Sequence, residues 1–166
     1  EKDLMRTRGI VAGTIGITVI AAAALRGVLR RFAVREHSMV PTIEDGDWLI
    51  ARRRYGALRR GDIVVMTDPT GSGMQLVKRV IGLPGERVGV VSGRVTIDGA
   101  LLADRWAHGS TGTDGEWDVP AEHVWVLGDN RGASASDGRI LGPTALADVD
   151  WVVIARYWPT ARARMF

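Results

Sequence analysis

The chain has 166 residues, 46% of them hydrophobic and 25% charged, which is typical of one globular domain with a short appendage and excludes a disordered chain. It has no cysteine, which excludes a disulfide framework, a thiolate zinc site and a cysteine nucleophile. The net charge of +3 comes from the first 35 residues, with seven basic and two acidic side chains. The remaining residues are weakly acidic, which argues against a nucleic-acid partner.

Residues 9–25 form an uncharged apolar run between Arg8 and Arg26. A spanning helix needs roughly 20 apolar residues, with about 17 as the lower limit, and basic flanks favour a membrane surface. We therefore predict a membrane anchor helix over about residues 9–29. A cleavable signal peptide, with Ala21–Ala24 as the cleavage region, and a buried core helix are the alternatives. The orientation is not fixed, because basic residues flank both ends.

Ser38 lies in the segment HSMVPT, just before a Pro-Thr turn. A serine in this position can be held at the end of a strand with its hydroxyl exposed. Alone, this pattern is equally typical of an ordinary turn. The nearby His37 points away from Ser38 in an extended chain, and no pattern pairs His108 or His123 with Ser38. A Ser-His site is therefore not predicted, nor is a metal site.

Beyond residue 36, short segments rich in β-branched and aromatic residues alternate with turn dipeptides, and none has a helical period. Residues 95–101 are typical of a hairpin, whereas the polar, Gly-rich residues 104–118 predict a mobile surface loop. We predict a segment 1–35 followed by a mainly β domain over 36–166, with antiparallel sheets in a compact barrel-like arrangement. The predicted strands are 48–52, 63–66, 76–81, 88–91, 95–97, 124–127 and 151–157.

Lys78 is unusual because 20 of the 22 basic residues are arginine, and Lys2 is the only other lysine. Arginine does not lose its proton in proteins, whereas a lysine amine can. In a strand, Lys78 shares its face with Leu76 and Val80, and burial among such neighbours disfavours the charged form. The alternative is a lysine whose stem lies along the sheet while its amine reaches water.

Four segments in order carry a resemblance to a known family. They are Ser38-Met39-x-Pro41-Thr42, residues 61–64 (GDIV), residues 78–85 (KRVIGLPG), and residues 128–131 (GDNR) with Ser, Asp and Arg residues shortly after. Together they resemble the type I signal peptidases, over roughly residues 34–159. The resemblance implies a β-rich fold of antiparallel sheets and a serine endopeptidase that needs no cofactor or metal.

The resemblance also implies a role for individual residues. Ser38 would be the nucleophile, Lys78 the general base, and Ser134 the residue that hydrogen-bonds and orients the lysine amine. Met39 and Pro41 would fix the turn that presents Ser38. The other supporting residues would form the wall of the site and its ion-pair brace: Arg79, Gly128, Asp129, Asn130, Arg131, Asp137 and Arg139.

Two positions depart from the family pattern. Family members often have a small or hydroxylated residue two positions before the nucleophile, where this chain has Glu36. Because a carboxylate disfavours an adjacent oxyanion, we expect Glu36 to point away and the Ser38 backbone N–H to be the main donor. The last motif is one residue longer than usual, so Ser136 is an alternative to Ser134.

The family removes signal peptides from exported precursor proteins, so these precursors and the lipid bilayer are the expected partners. We expect a single-pass protein of the cell membrane with its catalytic domain on the extracytoplasmic side. The alternatives are a specialised processing peptidase with one or few substrates and a non-catalytic, membrane-tethered β-domain that binds peptides. A self-cleaving repressor relative is disfavoured, because residues 1–35 are too short and apolar for a DNA-binding unit.

Overall fold

The computed structural model describes residues 27–112 and 114–166. The predicted anchor helix lies outside these residues except at its end, where Leu29 already begins a strand. Within the described ranges, no helix has the length and apolar character needed to cross a membrane. In chain order the elements are β1 (Leu29–Ala33), β2 (Trp48–Arg53), β3 (Ile63–Thr67), β4 (Gln75–Gly82), β5 (Arg87–Val91), β6 (Arg94–Ile97), β7 (Ala100–Leu101), β8 (Gly115–Asp118), β9 (His123–Leu127), helix α1 (Gly138–Leu141), β10 (Thr144–Ala145), β11 (Val149–Trp158) and β12 (Arg164–Met165).

The strands form two antiparallel sheets, as predicted. The larger has the order β1-β2-β11-β3-β4-β9-β10, with β12 added to β11, and the smaller has the order β7-β6-β5-β8. All seven predicted strands are present, with bounds within two residues of the prediction. The 95–101 hairpin is confirmed as β6 and β7, and it turns through Asp98 and Gly99, both with positive φ.

Strand β4 lies in the middle of the larger sheet and contributes to three parts of the core. Leu76 and Val80 pack in one hydrophobic cluster, whereas Val77 packs against a second and Ile81 belongs to a third. The third cluster joins the two sheets through Trp125 and strand β5. The predicted alternation of β4 side chains is therefore confirmed, and it places both faces of this strand in the protein interior.

The sheets are open in the described part of the chain, whereas the prediction was of a barrel-like arrangement. The last strand in the order, β10, has only two residues, which is too short to pair along β1 and close the sheet. At the other edge, β1 pairs with β2 over its whole length. The paired strands of the β-rich body therefore begin at Leu29, before the predicted boundary at residue 36.

The prediction of a mobile loop over residues 104–118 is wrong. Residues 115–118 form β8, which pairs with β5, and Thr111 is buried. The backbone of His108 forms a parallel bridge with Asn130. These polar residues are ordered by contacts with distant parts of the chain, which their own composition does not reveal. Helix α1 has a single turn and is capped by Asp137. It is too short to give the sequence a helical period, so the sequence does not predict it.

Candidate active site

Ser38 lies in a turn that follows β1. Within this turn the Ile43 amide donates to the Met39 carbonyl at 2.9 Å, and the Met39 side chain, 1% exposed, is anchored in the core. Arg156 donates through Nη1 to the Thr42 carbonyl at 2.7 Å. The turn is thus held from the core side, and Ser38 itself is only 6% exposed.

Lys78 lies in β4, opposite Val64 of β3, and is 1% exposed. It makes no ion pair or hydrogen bond to any side chain of the described residues. Burial lowers its pKa below the usual value, while the carboxylates of Asp137 and Glu36 act in the opposite direction and Arg139 adds to the lowering. Burial therefore disfavours the charged form of the amine, and the structure excludes a lysine that extends openly into water.

Ser38 and Lys78 line the same cavity, of about 350 Å³, which we call the lysine cavity. A second cavity of about 260 Å³, the apolar cavity, also reaches Ser38 and is lined by Val34, Met39 and Val77. Ser38 thus lies between the lysine cavity and the apolar cavity and lines both. The other residues around the lysine cavity are Arg35, Glu36, His37, Ala133, Ala135 and Ser136.

Asn130 and Gly128 form the wall against the Ser38 turn. The Asn130 amide donates to the Ser38 carbonyl at 3.0 Å, and its Nδ2 donates to the His37 carbonyl at 3.2 Å. A Cβ at Gly128 would lie 2.5 Å from the Ser38 carbonyl oxygen and 2.5 Å from Cβ of Ser134. Glycine is needed here because the chain approaches the turn more closely than any side chain permits.

Ser134 is 5% exposed, and its hydroxyl donates to Asp137 Oδ2 at 2.6 Å. Asp137 also accepts from the Gly128 amide and forms an ion pair with Arg139 at 2.8 Å. Burial raises the pKa of Asp137, but hydrogen bonds from Arg139 and Ser134 outweigh that effect and lower it overall. The Ser134 proton is therefore directed at a carboxylate, which leaves the Ser134 oxygen free to accept.

Arg79 follows Lys78 in β4 but has a complete set of partners. Its Nε and Nη2 donate to the two oxygens of Asp129 at 2.7 and 2.6 Å, and its Nη1 donates to the Gly61 carbonyl at 2.7 Å. The guanidinium also lies 5.1 Å from the centre of the Trp106 ring. This bidentate pair ties β4 to the loop after β9.

Arg131 connects the wall at Gly128 and Asn130 to residues that the sequence motifs do not include. It donates to the Gly128 carbonyl and to the Thr111 hydroxyl, both at 2.9 Å, and lies 2.7 Å from an Asp104 oxygen without hydrogen-bond geometry. Thr111 in turn accepts from Arg139 through its carbonyl. Residues 104–111 therefore support the site, although no motif marks them.

The candidate serines take different places. Ser136 lines the lysine cavity. Ser134 instead packs against Gly128, the residue directly after the end of β9. The last residue of β9, Leu127, is paired with Arg79 of β4. No histidine hydrogen-bonds to Ser38 among the residues the structure covers. Within the same residues, no three His, Asp or Glu side chains are grouped to hold a metal ion.

The family model described as "Signal peptidase, peptidase S26" matches residues 8–158 of this chain. The chain belongs to the signal peptidase family. Family membership confirms the resemblance and the prediction of a serine endopeptidase that removes signal peptides. The match covers the Ser38 turn, β4 and the wall at Gly128, so the geometry described above lies within the family's common region.

Individual relatives agree with this assignment. The chain is 36% identical to signal peptidase I of Leptolyngbya laminosa, over 90% of this chain and 79% of that protein. It is 31% identical to mitochondrial inner membrane protease subunit 1 of Xenopus tropicalis, over 93% of this chain and 84% of that protein. The crystal structure of a signal peptidase I from Enterococcus faecalis matches 60% of this chain and 98% of that structure, with a TM-score of 0.52 and 27% identity.

Proposed function

We propose that the protein is a membrane-bound endopeptidase that removes signal peptides from exported precursors, with Ser38 as nucleophile and Lys78 as general base. The observation that carries the proposal is the buried Lys78 amine, which has no ion pair with a described residue and lines the same cavity as Ser38. A cation buried without a counter-ion is costly. Burial at this site therefore lowers the pKa of the Lys78 amine, which makes it a stronger candidate for a base at neutral pH.

The chemistry follows from this pair. A lysine of ordinary pKa, about 10.4, is almost fully protonated at neutral pH, and desolvation lowers the pKa and so increases the neutral fraction. The neutral amine takes the proton of the Ser38 hydroxyl as its oxygen attacks the peptide carbonyl. The resulting ammonium then gives that proton to the leaving amine of the substrate as the peptide bond breaks.

Ser134 and the wall hold this pair in place. We propose that the Ser134 oxygen, whose own proton is directed at Asp137, accepts a hydrogen bond from Lys78 when substrate is bound and turns the amine toward Ser38. Gly128 lets Ser134 approach the turn, and Asn130 fixes the Ser38 carbonyl. The Ser38 backbone N–H has no acceptor among the described residues, so it is available to the developing oxyanion.

The membrane placement rests on residues 9–29 and on the family. A single anchor helix before β1 would hold the Ser38 turn near the bilayer surface, where a signal peptide leaves the membrane. The catalytic domain would face the extracytoplasmic side, and the apolar cavity beside Ser38 would take the small side chains before the cut. Val34, Met39 and Val77 suit such a subsite because they are apolar.

The test compares the wild-type protein with Ser38→Ala and Lys78→Arg, all reconstituted with membrane-bound precursors. Both variants should lose cleavage by a thousandfold or more, on the order of 4 kcal/mol in transition-state stabilisation. Lys78→Arg is the informative variant because it fixes a positive charge at this position and removes the base. Cleavage by Lys78→Arg at near the wild-type rate would eliminate the proposed dyad.

The same assay distinguishes the specialised alternative. A general signal peptidase should process several unrelated precursors in a panel, whereas a processing peptidase with one or few substrates should process one of them. Circular dichroism of each variant is the control for folding. Precursors that bind and are never cut by the wild-type protein would instead indicate a peptide-binding domain.

A further inference from the structure

Glu36 occupies a place that none of the proposed catalytic steps uses. It lies two residues before Ser38 and lines both the lysine cavity and the apolar cavity. Its side chain is exposed, and it has no hydrogen-bond or ion-pair partner among the described residues. Glu36 therefore belongs to the walls on both sides of the nucleophile, and its charge acts on Lys78.

A carboxylate in this place opposes the reaction in the free enzyme. It favours the charged form of Lys78, and it repels the negative charge that develops on the substrate carbonyl. The other charged groups that act on Lys78 are Asp137 and Arg139, and these two are already paired with each other. Glu36 is therefore the charge in this cluster that has no local counter-ion.

The nearest basic neighbour does not fill that role. Arg35 precedes Glu36 and lines both cavities, but no ion pair joins the two side chains. Among the described residues Glu36 has no counter-ion, so a basic group on the molecule that occupies the cavities can pair with it, and under the proposed function that molecule is the precursor.

Resting on that proposed function, we propose that Glu36 is a specificity-determining residue that selects precursors with a lysine or arginine within a few residues of the scissile bond. A peptide that passes over Ser38 spans both cavities and must run beside the Glu36 carboxylate. A basic side chain there pairs with the carboxylate and offsets its repulsion of the oxyanion. An acidic side chain at the same place adds a second repulsion.

The experiment uses one precursor in which each position from four before to three after the cut is replaced in turn by Lys, Gln or Glu. The kcat/KM ratio of Lys to Glu substrates is measured for the full-length wild-type protein, Glu36→Gln and Glu36→Lys. At one or more positions the wild type should favour Lys about three- to tenfold, the range of a partly exposed ion pair. Glu36→Gln should remove this preference, and Glu36→Lys should reverse it.

Glu116→Gln is the matched control, because Glu116 is an exposed residue of β8 in the smaller sheet and lines neither cavity. It should leave the ratio unchanged. A Lys-to-Glu ratio near one at every position in the wild type, or a ratio that is the same in the wild type and both Glu36 variants, would overturn the proposal.

Binding separates this proposal from the proposed function. The same Lys and Glu peptides are titrated against Ser38→Ala and against the double variant with Glu36→Lys, and no cleavage is needed. A charge preference that reverses with Glu36 supports the specificity role, even if the dyad assignment fails. Equal affinities for Lys and Glu peptides in both proteins contradict it, even if Ser38 and Lys78 prove to be catalytic.

Discussion

Lys78 and Arg79 are consecutive residues of β4, and both are buried, at 1% and 4% exposure. Arg79 has a bidentate carboxylate partner, a carbonyl acceptor and an aromatic ring. Lys78 has no ion pair with any residue that the structure describes. Two consecutive buried basic side chains of one strand therefore differ in their partners. Burial alone does not identify which of the two is the functional residue.

The difference follows from the two side chains. A guanidinium keeps its charge under all physiological conditions, so its burial requires a carboxylate. An amine can lose its proton, so its burial without a partner lowers its pKa and produces a base. In the Lys78→Arg variant, the new guanidinium would need a carboxylate partner. The carboxylates that act on this position are those of Asp137 and Glu36, and Asp137 is already paired with Arg139.

Among the changes that test the contrast between Lys78 and Arg79, Asp129→Ala is expected to have the largest effect on stability. The change leaves the Arg79 guanidinium buried without its counter-ion, and removing one partner of a buried pair costs about 3–5 kcal/mol. The free energy of unfolding in urea measures the loss. Asp118→Ala is the control, because Asp118 pairs with Arg87 at the exposed surface, and its unfolding midpoint should barely change. Equal losses in both variants would show that the Arg79 pair is not special.

Gly128→Ala should destabilise by about 1–3 kcal/mol, the usual cost of overpacking, and should also reduce cleavage. The new Cβ meets the carbonyl of Ser38 and the side chain of Ser134, so both must shift. The control is Gly132→Ala, where a Cβ has open space. Unfolding and kcat are measured for both. A Gly128→Ala variant with normal kcat would mean that the wall does not position the nucleophile.

Ser134→Ala and Ser136→Ala test which serine orients the amine. If Ser134 accepts from Lys78, its loss should reduce kcat by about 10- to 100-fold, or roughly 1.4–2.7 kcal/mol. It should also move the acidic limb of the pH–rate profile, because the amine loses a neighbour. Ser136→Ala should have the smaller effect. The reverse order would assign the role to Ser136, which lines the lysine cavity.

The smallest effect concerns pH and stability. The folded-state pKa of Lys78 lies below its unfolded value, so folding releases a proton between these two pKa values. The wild-type free energy of unfolding should therefore rise with pH across that window, as should kcat/KM. Lys78→Met should be more stable than the wild type at neutral pH, and the gap should narrow toward pH 10. A gap that is constant with pH would mean that Lys78 keeps its proton in the folded state.

Much of this fold could be predicted from the sequence. The seven main strands are rich in β-branched and aromatic residues, which favour the strand conformation locally. The residues around Ser38 and Lys78 form motifs that resemble those of a known family. Strand β1 is not among the strands that the sequence predicts, because its burial, and so its pattern, depends on pairing with β2. Whether a sheet closes depends on the lengths of strands far apart in the chain, which no local pattern reports.

The support of the site was harder to predict. Thr111 and Asp104 reach Arg131 across 20 or more residues, and nothing in their polar surroundings indicates burial. The same holds for Asp47, a fully buried carboxylate that accepts from Arg156 and Arg162 beneath the Ser38 turn. Polar networks of this kind join residues that are far apart in the chain, so they produce no periodic pattern in the sequence.

Because Lys78 is the only lysine after Lys2 and lies in a central strand, it is also a natural reporter of global opening. A lysine-specific protease can cut the catalytic body at this one bond, and only after β4 has left both of its neighbouring strands. The digestion rate of the body therefore measures the population of the opened state without any label. An inhibitor that occupies the lysine cavity would slow the digestion, so one proteolysis assay could screen ligands for this site.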